Sequence, residues 1–256
     1  MYDPWLPGGR PDPHAEFRLF CIPHLGGNSA LYLRWRQYAG PAVHVCPVEL
    51  PGRGRRLADP PFTRMPALVA ALADALDAQL DRPFALFGHS LGGLIAFELA
   101  RTLRERGRPQ PARLFIAAMA APGSVVPRPF VHDTPDEEVI EELRALGGTP
   151  PELLANEELM ELMLPTLRAD FTVLETYRCL DGPALDTPIS AFGGTEDTAA
   201  TAPALRAWSR YTTKTVRLRM FRGGHFFPAV EAAGLMQEIR RDLPASAAGR
   251  VAGASR

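Results

Sequence analysis

The segment Phe84–Leu99, FALFGHSLGGLIAFEL, contains a serine, Ser90, at a break between two apolar runs. The first run predicts a strand and the second a helix, so the motif GHSLG forms a sharp strand-to-helix turn. Glycines at such a turn remove side chains that would collide, and the turn lifts the serine hydroxyl out of the sheet. Free amides at the start of the following helix favour developing negative charge. The pattern predicts that Ser90 is a nucleophile.

A serine hydroxyl is a poor nucleophile at neutral pH and needs a general base. Among the six histidines, His225 is favoured because it lies in RGGHFF, directly after the last predicted strand, Thr215–Phe221. A loop at the carboxyl edge of a parallel sheet could bring it over Ser90. His89 adjoins the serine, and successive side chains diverge at such a turn. His24, in the loop after the first strand, remains the competing base.

The base needs an orienting acid, and Asp197 ends the segment GGTED just past the predicted strand Pro188–Phe192. This position is at the same edge of the sheet as the predicted nucleophile. Glu196 remains the local rival. The order Ser90, Asp197, His225 along the chain is the order found in α/β-hydrolases.

The tetrahedral oxyanion needs two amide donors. In this fold one comes from the residue after the nucleophile and one from the loop after an early strand. These residues are Leu91 and Leu25, the latter in the glycine-bearing loop PHLGG. Because the backbone donates, the leucine side chains are incidental to this role.

Short apolar strands alternate with helical patterns along most of the chain. This alternation predicts an α/β fold with a mostly parallel sheet and helices on both faces. The order of the predicted catalytic residues further indicates an α/β-hydrolase. The predicted strands are Phe17–Ile22, Ala42–Leu50, the run at Phe84, Arg113–Ala121, Pro188–Phe192 and Thr215–Phe221. The predicted helices outside the cap are Ser29–Tyr38, Met65–Leu80, the helix after Ser90 to about Arg106, Pro203–Tyr211 and Pro228–Leu243.

The alternation lapses between residues 122 and 179, where helical spacing continues without a clear strand. We interpret residues 123–180 as a helical cap, or lid, inserted into a single domain of residues 1–256. Its predicted helices are Pro135–Leu146, Pro151–Asn156 and Glu157–Tyr177. Residues 244–256 are small and polar, and we expect a disordered tail there.

The composition excludes several functional classes. The 28 basic and 29 acidic residues give a formal charge of −1, so no broad field favours nucleic acid or an anionic membrane. The three cysteines form no paired spacing that indicates disulfides or a metal site. The sequence shows neither a leader pattern nor about 18 consecutive apolar residues, and we expect a soluble, cytoplasmic protein.

The sequence resembles the stand-alone type II thioesterases that serve modular polyketide and nonribosomal peptide synthases, from about Phe17 to Leu243. Departures are small: Leu91 and Gly92-Gly93 stand where the family commonly has methionine and then glycine or alanine, and Thr198 stands where proline often follows the acid. The segments that carry the resemblance are PHLGGNSALY, ELPGRGRRL, FGHSLGGLIAFELA, LGGTPPELL, LPTLRADF and GGHFF.

The resemblance implies a substrate whose acyl group is thioester-linked to the phosphopantetheine arm of a carrier protein. The implied activity is hydrolysis that removes stalled or aberrant acyl groups. The enzyme would need no cofactor of its own, since the substrate carries the phosphopantetheine. The usual attachment dipeptide, Asp-Ser, is missing from the sequence, so we expect a carrier protein supplied in trans. We also expect a monomeric enzyme.

Other interpretations share part of this pattern. A small-molecule esterase or lipase needs the same catalytic groups, and a non-catalytic carrier-binding module could retain them as a vestige. A cyclising or chain-releasing thioesterase is disfavoured because the chain has no attached synthase region. The arginine-rich loop with Arg53, Arg55 and Arg56 could contact an acidic carrier or the phosphate of its arm, but such loops are more often solvated.

Overall fold

The computed structural model describes residues 3–9, 12, 14–124 and 131–243. Within these residues six strands form one sheet in the order β2-β1-β3-β4-β5-β6, and every neighbouring pair is parallel. The prediction of a parallel α/β fold is confirmed. The strands are β1 Phe17–Ile22, β2 Val43–Pro47, β3 Phe84–His89, β4 Leu114–Ala117, β5 Ile189–Gly194 and β6 Val216–Phe221.

Helices pack on both faces of this sheet, as the apolar strands require. The α-helices among the described residues are α1 Arg36–Ala39, α2 Met65–Leu76, α3 Leu91–Glu105, α4 Asp136–Leu146, α5 Pro151–Leu154, α6 Glu157–Thr176, α7 Ala202–Arg206, α8 Phe227–Val230 and α9 Ala232–Asp242. Short 3₁₀ helices occupy Ser29–Trp35, Gly54–Arg56, Asp77–Gln79 and Ala207–Arg210. No described helix is both long enough and apolar enough to span a bilayer.

The alternation of side chains along β1 divides the core into two layers. Phe20 and Ile22 belong to the cluster that contains α2 and α3, whereas Leu19 and Cys21 belong to the cluster that contains α9. Successive residues of a strand point to opposite faces of the sheet. All six residues of β1 are buried, so this strand is covered from both sides.

Some element boundaries differ from the predictions. The segment after Asn28 begins as a 3₁₀ helix, and only Arg36–Ala39 is α-helical. β4 ends at Ala117 rather than at Ala121, because Ala118 has a positive φ of 52°, and an L-residue in that conformation turns the chain out of the strand.

Helices α4, α5 and α6 lie between β4 and β5 and form a small core of their own. Leu25, in the loop after β1, packs against this core from the sheet side. The helical segment therefore contacts the loop predicted to hold an oxyanion donor. Its buried members are Val139, Leu143, Leu154, Met160, Leu164, Leu167 and Phe171. The predicted tail, residues 244–256, lies outside the described residues.

Candidate active site

The predicted site residues follow the carboxyl ends of parallel strands. Ser90 directly follows β3, Asp197 follows β5, and His225 follows β6. Because the strands are parallel, these three loops lie at one edge of the sheet. Two backbone hydrogen bonds join the β5 and β6 loops: Thr195 N–H donates to Phe221 O at 2.8 Å, and Glu196 N–H donates to Gly223 O at 2.9 Å.

Ser90 lies at the turn between β3 and α3 with φ 53° and ψ −121°. A side chain at Gly88 would overlap the carbonyl of Gly92, and one at Gly92 would overlap the carbonyl of Ile22 at the end of β1. The two glycines are therefore required by close backbone contacts. The serine hydroxyl lies at a strained turn, which is the geometry of a nucleophile elbow.

The three side chains form a continuous hydrogen-bonded chain. His225 Nε2 lies 2.9 Å from Ser90 Oγ, and His225 Nδ1 lies 2.8 Å from Asp197 Oδ2. A carboxylate only accepts, so Nδ1 carries the hydrogen and Nε2 is free to accept the serine proton. This is the tautomer that a general base needs.

Asp197 is well placed to stay ionised. Burial raises its pKa, but the hydrogen bond from His225 and two backbone hydrogen bonds lower it, so that the pKa lies below its ordinary value. The backbone donors are Ala199 N–H at 2.8 Å and Ala200 N–H at 3.1 Å, both to Oδ1. The carboxylate can therefore fix the imidazole orientation and stabilise an imidazolium.

The two predicted oxyanion donors, the amides of Leu91 and Leu25, belong to the helix that follows the serine and to the loop after β1. Leu91 is the first residue of α3, where an N–H has no intrahelical acceptor. The amide of Leu25 donates to no other described residue, and Leu25 lines the same pocket as Ser90. Backbone N–H groups of this kind are free to bind an oxyanion.

The pocket around Ser90 and His225 is mostly apolar. Its wall comes largely from α4, α6 and their connecting segment, and Phe226 closes it beside the histidine. An apolar wall near a serine nucleophile suits an acyl chain. The lining residues from the helical segment are Leu143, Leu146, Gly148, Thr149, Met160, Met163 and Leu167.

Two further histidines support the site without joining the catalytic chain. His89 Nε2–H donates to the carbonyl of His225 at 2.8 Å, so it helps to hold the loop of the base. His24 Nδ1–H donates to Leu25 O at 2.8 Å, and its ring meets those of His89 and Phe226 edge-on. Burial is the main cause that lowers the pKa of both imidazoles. Among the described residues, the hydrogen-bond partner of Ser90 Oγ is His225 and not the competing base, His24.

The arginine loop is not simply solvated, which corrects the sequence interpretation for Arg53. Arg53 is buried and forms a two-pronged ion pair with Asp170 of α6. Arg56 pairs with Asp59 and lies over the ring of Trp5, whereas Arg55 is exposed. The sequence interpretation missed the partner of Arg53 because 117 residues separate the two side chains.

Comparison with known proteins places this geometry in a family. Residues 17–243 match the model of the thioesterase domain. The gramicidin S biosynthesis protein GrsT of Aneurinibacillus migulanus is 38% identical over 223 residues, which cover 87% of each chain. Among solved structures, RedJ, a thioesterase from the prodiginine pathway of Streptomyces coelicolor, has a TM-score of 0.81 at 38% identity, covering 88% of this chain and 86% of that one.

The type II thioesterase BorB from the borrelidin biosynthetic cluster has a TM-score of 0.83 at 37% identity, covering 92% of this chain and 96% of that one. These similarities extend over the sheet and the helical segment alike. They confirm both the resemblance drawn from the motifs and the α/β-hydrolase fold. The chain belongs to the thioesterase-domain family, and within it to the type II thioesterases.

Proposed function

We propose that this enzyme hydrolyses acyl groups from the phosphopantetheine arm of carrier proteins, and so edits synthases of polyketides or nonribosomal peptides. The observation that supports the reaction is the hydrogen-bonded chain from Ser90 through His225 to Asp197. Its position in an apolar pocket supports an acyl substrate. Relatives named for gramicidin S biosynthesis and the prodiginine pathway support a role beside a synthase.

Acylation begins when His225 Nε2 takes the Ser90 proton and the serine oxygen attacks the thioester carbonyl. The amides of Leu25 and Leu91 stabilise the tetrahedral oxyanion. As it collapses, the carbon–sulfur bond breaks and His225 gives its proton to the leaving thiolate. The products are the free carrier thiol and an ester between the acyl group and Ser90.

Deacylation repeats these steps with water as the nucleophile. His225 removes a proton from water, hydroxide attacks the acyl-serine ester, and the serine oxygen leaves with the proton returned by His225. The acid is released and Ser90 is regenerated. The steps use side chains, amides and water, so the proposed reaction requires no cofactor.

We further propose that residues 123–180 act as a lid over the pocket, since helices α4 and α6 supply most of its apolar wall. The enzyme would be monomeric and cytoplasmic. The carrier protein would be a separate chain that delivers its acyl group to the enzyme in trans. A thioester on a long flexible arm can enter a narrow pocket that a folded carrier cannot. The pocket lined by the helical segment therefore supports delivery of the acyl group by the arm.

The test is hydrolysis of acyl-loaded carrier proteins, followed by intact mass, alongside acyl-coenzyme A and nitrophenyl esters. Ser90→Ala should lower the carrier-thioester rate at least about 10³-fold, because the nucleophile is lost. Ser209→Ala, at an exposed serine of a 3₁₀ helix, should keep the wild-type rate. Retained turnover by Ser90→Ala would exclude the mechanism. Turnover of nitrophenyl esters without turnover of acyl carriers would indicate a small-molecule esterase instead.

A further inference from the structure

A buried ion pair holds the loop that contains the Leu25 amide. Asp170 Oδ2 accepts hydrogen bonds from Gly26 N–H at 2.8 Å and from Arg53 Nη1 at 2.7 Å, while Oδ1 accepts from Arg53 Nη2 at 2.8 Å. Arg53 Nη1 also donates to Gly27 O at 3.3 Å. The side chains of Arg53 and Asp170 are only 6% and 4% exposed. The ion pair therefore forms hydrogen bonds with the amide of Gly26 and with the carbonyl of Gly27.

These bonds fix the peptide planes beside the oxyanion donor. In the Leu25-Gly26 peptide, the carbonyl accepts from His24 Nδ1 and the N–H donates to Asp170. In the preceding peptide, the His24 carbonyl accepts from Gly27 N–H at 2.9 Å. With His24 O bound on one side of its peptide, the Leu25 N–H must point to the other. Its direction is thus set by contacts outside the catalytic chain.

The electrostatic balance also requires both members of the pair. The Asp170 carboxylate accepts a hydrogen bond from Gly26, the residue after the oxyanion donor Leu25. Without a neighbouring cation, this carboxylate would repel the negative charge that develops on the thioester oxygen. The two-pronged contact with Arg53 neutralises that carboxylate while leaving it able to accept from Gly26. Loss of Arg53 would leave a buried carboxylate without its cation, hydrogen-bonded to the residue next to the Leu25 donor.

The same pair connects the loop to the helical segment. Asp170 belongs to α6, and a side chain at Gly26 would come within 2.7 Å of Leu167 of that helix. Thr166 of α6 also donates to the carbonyl of Gly52, next to Arg53. One helix therefore lines the acyl pocket and holds the oxyanion loop.

We propose that Arg53 and Asp170 are positioning residues that hold the Leu25 amide ready for the oxyanion and make its geometry depend on the placement of α6. The inference rests on the proposed function, because it concerns the transition state at Ser90. Since these residues act on the transition state, their loss should lower kcat and leave KM nearly unchanged.

The test compares Asp170→Ala and Asp170→Asn with a matched control, Asp242→Ala. Asp242 is a buried carboxylate whose side chain is 2% exposed; it contacts Arg217 and accepts from Ser190 at 2.6 Å, at the amino end of the sheet. Asp170→Ala should lower kcat up to about 10²-fold, as loss of an oxyanion donor does. Asp170→Asn keeps an acceptor for Gly26 and should lose less. Arg53→Lys keeps the positive charge but cannot bind both carboxylate oxygens through two guanidinium nitrogens. Its kcat should also lie between the values of wild type and Asp170→Ala.

A second readout is inhibition by n-butylboronic acid, which forms a tetrahedral adduct on the serine. Its affinity should fall in Asp170→Ala in proportion to kcat, and Asp242→Ala should keep both values even where its melting temperature falls. Should Asp170→Ala not fold, Asp170→Asn and Arg53→Lys give the same comparison. Wild-type kcat and boronate affinity in these variants would overturn the inference, while loss of activity in Ser90→Ala would still support the proposed function.

Discussion

Two neighbouring carboxyl groups follow β5, and their surroundings give them different chemistry. The side chain of Asp197 is 2% exposed and contacts His225, whereas Glu196 is exposed to solvent. The amides of Ala199 and Ala200 hold the Asp197 carboxylate against the imidazole. An exposed carboxylate without such contacts cannot fix the tautomer of a base.

Asp197→Asn should lower kcat by about 10³- to 10⁴-fold, because an amide at this position favours the wrong imidazole tautomer. Glu196→Gln, one residue away, should stay within about two-fold of wild type, as expected for an exposed group. Hydrolysis of an acyl-loaded carrier by both variants, at equal folded concentration, measures the difference. A larger loss in Glu196→Gln than in Asp197→Asn would reassign the acid to the rival position.

The catalytic residues and the Arg53–Asp170 ion pair differ in how far the sequence could predict them. Ser90 and His225 follow predicted strands, so one rule about the carboxyl edge of a parallel sheet was enough to bring them together. Arg53 and Asp170 are far apart in the sequence, and no periodicity joins a loop to a helix of the inserted segment. Both lie in segments that carry the family resemblance, ELPGRGRRL and LPTLRADF, which was the available signal for a shared role.

The active site depends on how closely α3 approaches the ends of β1 and β3. The start of α3 contacts the backbone of Ile22 and Pro23 through Gly92. Any side chain there must push the helix from the sheet or displace the loop before Leu25. Either shift would move one of the two proposed oxyanion amides, because Leu91 belongs to the helix and Leu25 to that loop.

Gly92→Ala should destabilise the fold by about 1–3 kcal/mol or more, through overlap with backbone that cannot yield, and should also lower kcat. Gly234→Ala is the matched control in another helix, where the added methyl meets only Glu231 and Phe221 at 3.6–3.7 Å. Greater helix propensity should stabilise that variant by about 0.5–1 kcal/mol. Urea denaturation and hydrolysis rates measure both effects. A harmless Gly92→Ala substitution would contradict the close approach of α3.

Element boundaries were predictable where local pattern alone determines them. β1 spans the predicted Phe17–Ile22, because an apolar run between a polar arm and a proline leaves little freedom. The segment from Ser29 onward was predicted as one helix but starts as a 3₁₀ helix. Tertiary contacts act there: Ser29 donates to the buried Glu49 through both its amide and its hydroxyl, and Tyr32 donates to Ile22 O. Such contacts have no local signature.

The histidines around the site make the stability of the folded protein depend on pH. His24 and His89 are enclosed between the loops after β1, β3 and β6, and burial lowers the pKa of both imidazoles. Their neighbours at this junction include His225, whose charge would repel theirs, and the pair of Asp170 and Arg53. Each neutral ring donates to a backbone carbonyl, so protonation would charge groups that the fold keeps neutral.

The free energy of unfolding should therefore fall as the pH drops below about 6.5, the ordinary pKa of histidine. Below that value the unfolded chain binds protons that the folded chain does not, so stability rises with pH across this range. Each histidine contributes a slope of at most about 1.4 kcal/mol per pH unit. Asp197 acts separately, because its lowered pKa removes stability only as the pH falls below about 4.

Urea denaturation between pH 8 and pH 5 measures this slope. His89→Gln retains a side-chain donor for the His225 carbonyl but cannot titrate, so its slope should be smaller by up to one proton's contribution. His14→Gln, at an exposed histidine, should keep the wild-type slope. A wild-type stability that does not change from pH 7 to pH 5 would contradict neutral burial, because two enclosed imidazoles cannot resist protonation without a cost to the folded state.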